Sequence, residues 1–255
     1  MNANPKFAVI GGGSWATAIA KMLCVNLEEI AWYMRNESAI DHIKTQKHNP
    51  NYLSSAELHP HQLILSNNIN KTVENFDILV FAIPSAFLTS ELKKLTTSLS
   101  NKVIFSAIKG IVPESGLIVG EHFFKKYNIP YKNIGVITGP CHAEEVAMER
   151  LSYLTIACQD QDQAKKVGEC LKSRYIQVKI SDDIIGTEYA AMLKNIFSIA
   201  AGISHGLGYG DNFQSVLMSN SIREMDRFIK KIHQMKRNIN NSAYLGDLLV
   251  TGYST

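Results

Sequence analysis

The sequence lacks any apolar run of about 18 residues, the length that a membrane span requires. Its amino terminus also lacks the apolar segment of a signal peptide. We therefore expect a cytoplasmic protein with no membrane span. Cysteine is scarce, and the four cysteines, Cys24, Cys141, Cys158 and Cys170, show no Cys-x-x-Cys spacing. Their scatter favours reduced thiols over a disulfide framework or a zinc site.

An excess of one charge sign is also missing. The formal net charge is only +3, and the short basic cluster at 230–237 is typical of a solvated helix face, so we expect no nucleic-acid partner. The histidines at 42, 48, 59 and 61 are irregularly spaced in a polar segment, which predicts no metal site. Because 45% of the residues are hydrophobic, disordered and fibrous classes are excluded.

A glycine cluster follows the first apolar segment. Residues 7–10 have strand character, residues 11–13 are all glycine, and a helical pattern begins near Ser14. The spacing Gly11-x-Gly13-x-x-Ala16 fits the dinucleotide fingerprint, in which glycines let the backbone approach a pyrophosphate at a helix N-terminus. An ordinary glycine turn is the alternative, because the motif alone is a weak signal.

Arg35 ends the second predicted strand, about 20 positions after the glycines, where this fold contacts the adenosine ribose. An arginine there suits a 2′-phosphate, so NADP(H) is the predicted cofactor. The nearby Glu37 leaves NAD(H) open, and an exposed arginine without a role remains an alternative.

Strands and helices alternate from residue 7 to about residue 180. The segments 77–83 and 103–107 are nearly continuous apolar runs, as in parallel strands covered on both faces, whereas residues 36–76 are polar with turn signals. After Ser181 the pattern is helical, with a glycine-rich turn at 202–210. We predict a Rossmann-like, doubly wound, mostly parallel sheet in a domain of residues 1–183, and an all-α domain of residues 184–255.

Two lysines have positions that suggest chemistry. Lys109 follows a strand at its carboxyl end, where ligands bind in open α/β sheets, and a solvated loop lysine is the alternative. Lys194 lies in the middle of an apolar helix, where burial is costly unless the lysine has a charged partner, a function or a route to solvent. Cys141 beside His142 resembles a nucleophile and base, but without a third orienting group covalent catalysis is disfavoured.

Several longer motifs follow in order along the chain: GGGSWATAIA, AIPSAFL, SAIKGI, GPCHAEEVA, EYAAMLKNIFSIAAGI and GDLLVTGYS. In order and spacing they resemble the bacterial-type NAD(P)-dependent glycerol-3-phosphate dehydrogenases, and together they extend over nearly the whole chain. The resemblance implies reversible reduction of dihydroxyacetone phosphate to sn-glycerol 3-phosphate, a precursor for glycerophospholipids, in a homodimer.

The resemblance also implies roles for individual residues. Lys194 would be the catalytic acid or base, held by Asp247, with Lys109 between cofactor and substrate. The dinucleotide would contact Ser14, Trp15, Arg35 and Ala143, beside the fingerprint residues Gly11, Gly13 and Ala16. The substrate would meet Lys109, Gly139, Cys141, Lys194, Asn195, Asp247 and Thr251.

Two departures from the family pattern bear on activity. Cys141 and His142 stand where the family commonly has a serine and an aromatic residue. The family also continues with further helices and an Arg-Asn pair that grips the substrate phosphate, so the chain resembles a form truncated at its C-terminus. We expect weak turnover from these 255 residues; an equal kcat/KM for an extended form would contradict that expectation.

Other functions remain open. A related NADPH-dependent ketone or hydroxyacid reductase, acting on a 3-hydroxy acid or ketopantoate, would share the architecture. A cofactor-binding sensor or scaffold without chemistry would be expected to lack the lysine pair, and Lys109 and Lys194 are both present.

Overall fold

The computed structural model of the chain describes residues 5–254. Residues 1–4, which bear on the expected lack of a signal peptide, and Thr255 lie outside the described residues. The strands are β1 (Phe7–Ile10), β2 (Ile30–Tyr33), β3 (Leu63–Ser66), β4 (Ile78–Phe81), β5 (Val103–Ser106), β6 (Ile111–Val112), β7 (Leu117–Ile118), β8 (Ile134–Thr138), β9 (Ser152–Cys158) and β10 (Ile176–Ser181).

The helices connect these strands and then continue alone to the end of the described chain. They are α1 (Ser14–Asn26), α2 (Glu37–Gln46), α3 (Ile69–Glu74), α4 (Ser85–Leu92), α5 (Val119–Tyr127), α6 (Ala143–Ala147), α7 (Gln161–Leu171), α8 (Ile184–Gly206), α9 (Asp211–Ile232) and α10 (Asp247–Gly252). Short 3-10 turns cover Pro60–Gln62 and Tyr131–Asn133, and a π-helical turn, Ser242–Gly246, leads directly into α10.

The central sheet has eight strands in the order β10-β9-β8-β5-β4-β1-β2-β3. Neighbouring strands are parallel except for β8 and β9, while β6 and β7 form a separate hairpin. Strand order reverses between β1 and β4, which creates a crevice at their carboxyl ends. The predicted doubly wound, mostly parallel sheet followed by helices is confirmed.

Apolar cores cover both faces of the sheet. One contains Trp32 and Phe105, and the other contains Phe81 and Phe123. All residues of β1, β2, β4 and β8 are buried, which explains their continuous apolar sequences. These covered strands hold the crevice between β1 and β4 in a fixed geometry.

A separate apolar core joins α8, α9 and α10, with Phe197, Met225 and Leu248 among its members. Glu188 fixes α8 to the sheet-bearing part, because its buried carboxyl group accepts hydrogen bonds of 3.1 and 3.0 Å from the Gly120 amide. Burial raises the pKa of Glu188 to about 8. Residues 5–254 contain no helix that is both long and apolar enough to cross a bilayer.

The structure differs from the sequence prediction in two segments. The polar stretch 36–76 contains α2, β3 and α3; β3 is a short edge strand with a half-exposed Ile64, so its apolar pattern is weak. Helix α8 continues through Gly202 and Gly206 instead of ending in a turn. Glycine is tolerated there at a cost of about 1 kcal/mol, and the positive φ of +83° comes only at Gly208.

Candidate active site

The glycine turn joins β1 to α1 at the crevice. Gly11 has φ of +138°, and a Cβ there would lie 2.2 Å from the Ala82 carbonyl oxygen, so only glycine fits. Gly13 is the N-cap of α1, and a Cβ there would meet no atom within 4 Å. The amides before Thr17, which makes the first helical hydrogen bond to the Gly13 carbonyl, have no helical partner, as an anion site requires.

Two buried side chains brace this turn. Trp32 donates a 2.6 Å hydrogen bond from Nε1 to the Gly11 carbonyl. Asn49 donates to the Gly12 carbonyl at 3.2 Å and to Thr17 Oγ1 at 2.9 Å. The sequence marks Asn49 only as part of a turn, because its partners lie more than thirty positions earlier. These hydrogen bonds fix the backbone of the turn.

Alanine substitutions at the two outer glycines should have separable effects. Gly11→Ala places a methyl group against backbone and forces a strained φ, so we expect a lower melting temperature. Gly13→Ala meets open space at φ −85°, so we expect unchanged stability and weaker dinucleotide binding. Thermal unfolding and a dinucleotide titration of both variants check this, and equal effects on stability would contradict it.

A cleft of about 860 Å³ opens over the turn, within the size range of small-molecule sites. Trp15 contributes a buried indole Nε1 that has no hydrogen-bond partner within residues 5–254. An unsatisfied buried donor of this kind is unusual in a folded protein and is typical of a functional site. Of the predicted site residues, those lining the cleft are Gly11, Gly13, Ser14, Trp15, Arg35, Lys109, Cys141 and Ala143.

Lys194 and Asp247 form a buried ion pair beside the cleft. Helix α8 supplies the lysine and the start of α10 supplies the aspartate, and their side chains are 2% and 1% exposed. Asp247 Oδ2 is buried and has no hydrogen-bond partner among the described residues. A buried acceptor without a partner is unusual in a folded protein and is typical of a functional site.

Burial and two neighbouring charges set the proton affinity of Lys194. Burial lowers the pKa of Lys194 to about 8, the negative charge of Asp247 opposes this shift, and the positive charge of Lys109 adds to it. Because Lys109 also lines the cleft, it connects the ion pair with the cleft. Lys194 can therefore gain and lose a proton near neutral pH.

Cys141 lines the same cleft without being activated. Its side chain is buried, and burial raises the pKa of the thiol to about 12. A thiol with this pKa is protonated at neutral pH and is a weak nucleophile. The site therefore gives no support to covalent catalysis by Cys141 and His142.

Besides Lys194 and Asp247, four further predicted residues lie outside the cleft lining. Ala16 is buried in α1, and Asn195 is exposed on α8. Gly139 has φ of +121°, and a Cβ there would lie 2.6 Å from the Tyr153 carbonyl oxygen. Thr251 donates a 2.7 Å hydrogen bond to the Asp247 carbonyl. In these contacts Gly139 shapes its turn and Thr251 supports the helix that carries Asp247.

Arg35 belongs to a second charged cluster, separate from the Lys194–Asp247 pair. It contains Tyr33, Phe87 and Glu91, all of which line the cleft with Arg35. Sequence analysis did not find Glu91, because its partner Tyr33 is 58 positions away and no motif contains both. The AIPSAFL motif does contain Phe87.

Comparisons with known proteins agree with this geometry. The sequence family described as the N-terminus of NAD-dependent glycerol-3-phosphate dehydrogenase matches residues 6–164, and the one described as its C-terminus matches residues 183–255. A glycerol-3-phosphate dehydrogenase [NAD(P)+] from an Exiguobacterium species is 37% identical over 97% of this chain and 73% of its own length. One from Lysinibacillus sphaericus is 34% identical over 96% of this chain and 73% of its own length.

Solved structures give the same result. A glycerol-3-phosphate dehydrogenase structure from Plasmodium falciparum superposes with a TM-score of 0.90 at 26% identity, over 100% of this chain and 74% of that one. One from Coxiella burnetii superposes with a TM-score of 0.87 at 25% identity, over 98% of this chain and 76% of that one. The chain therefore belongs to the NAD-dependent glycerol-3-phosphate dehydrogenase family.

Proposed function

We propose that the chain reduces dihydroxyacetone phosphate reversibly to sn-glycerol 3-phosphate with NADPH or NADH, and so supplies glycerophospholipid synthesis. The observation that carries the proposal is the buried Lys194–Asp247 pair, next to Lys109 at a cleft built over a dinucleotide-type glycine turn. Family membership gives the substrate, since the relatives are named glycerol-3-phosphate dehydrogenases.

The residues around the cleft fit a dinucleotide. The open space at Gly13 and the free amides of α1 suit a pyrophosphate. The unpartnered indole Nε1 of Trp15 is a further donor, and Arg35, which lines the cleft after β2, supports a contact with the adenosine ribose. When bound, a reduced nicotinamide supplies the hydride that the ketone carbon accepts.

The lysines then act on the substrate oxygen. As the ketone carbon is reduced, its oxygen gains negative charge, which the ammonium group of Lys194 stabilises and neutralises by donating a proton. Asp247 holds that ammonium group in place, and the second positive charge, at Lys109, anchors the anionic substrate. In the reverse direction, neutral Lys194 removes the hydroxyl proton.

The pH dependence should differ between the two directions. Reduction requires protonated Lys194, so its kcat should fall as the pH rises through about 8, the value to which burial lowers the pKa of this lysine. Oxidation requires the neutral amine, so its kcat should rise over the same interval. Steady-state rates in both directions check this, and parallel pH profiles would contradict it.

A matched variant tests the cause of that profile. Asp247→Asn removes the negative charge that raises the pKa of Lys194, so the midpoint of the reduction profile should move to lower pH. An unchanged midpoint would show that the charge of Asp247 does not affect the group whose titration sets the pH profile.

Initial rates with a panel of ketones test the substrate. We expect dihydroxyacetone phosphate to give a higher kcat/KM than ketopantoate or a 3-oxo acid. A preference for either of the other ketones would support the alternative, a related ketone or hydroxyacid reductase. Dinucleotide binding without turnover on any ketone would support a binding protein without chemistry.

We also infer the roles of the two domains, the oligomeric state and the cellular compartment. The dinucleotide would bind to the domain of residues 1–183, and the helical domain of residues 184–255 would bind substrate and form a homodimer. The exposed apolar residues Ile196, Ile199 and Ile203 on α8 support the dimer. Four free cysteines support a reducing compartment, the cytoplasm.

A further inference from the structure

Glu91 is a buried carboxylate at the Arg35 end of the cleft. Its side chain is 2% exposed, and it accepts a 2.7 Å hydrogen bond from the Tyr33 hydroxyl. Lys94, one helical turn later, donates to both carboxylate oxygens at 2.9 and 3.0 Å. Glu91 lines the cleft whereas Lys94 does not. These contacts place a fixed negative charge beside the ribose end of the dinucleotide site.

Glu91 acts on Arg35 through charge and does not orient it. Arg35 Nη1 lies 3.6 Å from a Glu91 oxygen, which is longer than a hydrogen bond. The guanidinium carbon instead lies 5.5 Å from the centre of the Phe87 ring, a distance that allows cation–π attraction. Removing the charge of Glu91 should therefore leave Arg35 in position.

We propose that Glu91 is a specificity-determining residue, whose carboxylate offsets the positive charge of Arg35 and so limits the preference of the site for a 2′-phosphate. The proposal rests on the dinucleotide function argued above. A 2′-phosphate is anionic, so a nearby carboxylate weakens its binding, whereas an uncharged 2′-hydroxyl gains or loses little. Glu91 thereby keeps NADH acceptable beside NADPH.

Glu91→Gln is the direct test. Glutamine has the same shape and can still accept the hydrogen bond from Tyr33. Calorimetric titration with 2′,5′-ADP and with 5′-AMP measures the 2′-phosphate contribution without any turnover. We expect 2′,5′-ADP to bind about ten-fold more tightly, or about 1.4 kcal/mol, and 5′-AMP to bind as before.

Lys94→Gln gives the opposite test through the same carboxylate. It leaves Glu91 uncompensated, so 2′,5′-ADP should bind about three-fold more weakly, within the range of exposed ion pairs, with 5′-AMP unchanged. This variant decides the proposal if Glu91→Gln does not fold. Glu169→Gln, an exposed carboxylate on α7, is the control for net charge and should change neither affinity.

The outcomes separate this inference from the proposed function. If both ligands bind but neither variant changes their affinity ratio, Glu91 has no role in specificity and the proposed function stands. A parallel change in both affinities would also overturn the inference, because it indicates a general structural effect. If neither ligand binds the unsubstituted chain, the dinucleotide function fails and the inference with it.

Discussion

Lys194→Ala should lower kcat by about 10²- to 10⁴-fold, the usual contribution of a positioned acid or base, and leave NADPH binding unchanged. The lysine is buried with Asp247 beside the cleft, and neither residue lines it. Its loss removes the proton donor and the charge that stabilises the substrate oxygen. Steady-state kinetics and an NADPH titration measure the two effects separately.

The control variants account for the carboxylate of Asp247, which loses its ion-pair partner in Lys194→Ala. Lys194→Ala leaves Asp247 buried and unpaired, which costs about 3–5 kcal/mol, so lost activity could reflect unfolding. The double variant Lys194→Met with Asp247→Asn keeps the site neutral and filled, and should be equally inactive while remaining folded. Lys172→Ala, at a half-exposed lysine, should keep full activity. Near-normal turnover in the double variant would remove Lys194 from its proposed role.

Arg35→Ser should weaken NADPH binding roughly 10- to 100-fold, the value of a charge-assisted hydrogen bond to a phosphate, and change NADH binding much less. The guanidinium lies over Phe87 at the ribose end of the cleft and is largely exposed to an incoming ligand. Serine removes the charge and the planar fork that matches a phosphate. Binding titrations with NADPH and with NADH give the ratio of the two affinities, which should shift toward NADH.

Arg35→Lys provides the matched control for charge. It keeps the positive charge but loses the fork and most of the stacking on Phe87, so its NADPH affinity should lie between those of the serine variant and the unsubstituted chain. An NADPH-to-NADH affinity ratio unchanged by Arg35→Ser would show that Arg35 does not contact the 2′-phosphate.

The features that sequence predicted are those whose cause is local. The buried strands β1, β4 and β8 have continuous apolar runs, and the turn at Gly11 needs a residue that accepts positive φ. The cost of burying Lys194 favoured a charged partner or a function over a route to solvent, and only the resemblance supplied Asp247. Such patterns depend on neighbouring positions, so they can be recognised without tertiary contacts.

The missed features depend on distant pairs. Asn49 braces the glycine turn, and Glu91 on α4 accepts a hydrogen bond from Tyr33 on β2, in contacts that span 37 and 58 positions. Neither residue belongs to a repeating pattern, and polar residues in loops or on helices are common. The edge strand β3 was missed because it is covered less than the central strands and shows little apolar character.

Product analysis tests the central claim most directly. The chain is incubated with NADPH and dihydroxyacetone phosphate beside the Lys194→Met and Asp247→Asn double variant, and the products are identified and counted. We predict one sn-glycerol 3-phosphate per NADPH oxidised by the unsubstituted chain, even if turnover is slow, and none from the folded double variant. Absence of this product from the unsubstituted chain, or equal yields from both proteins, would contradict the account.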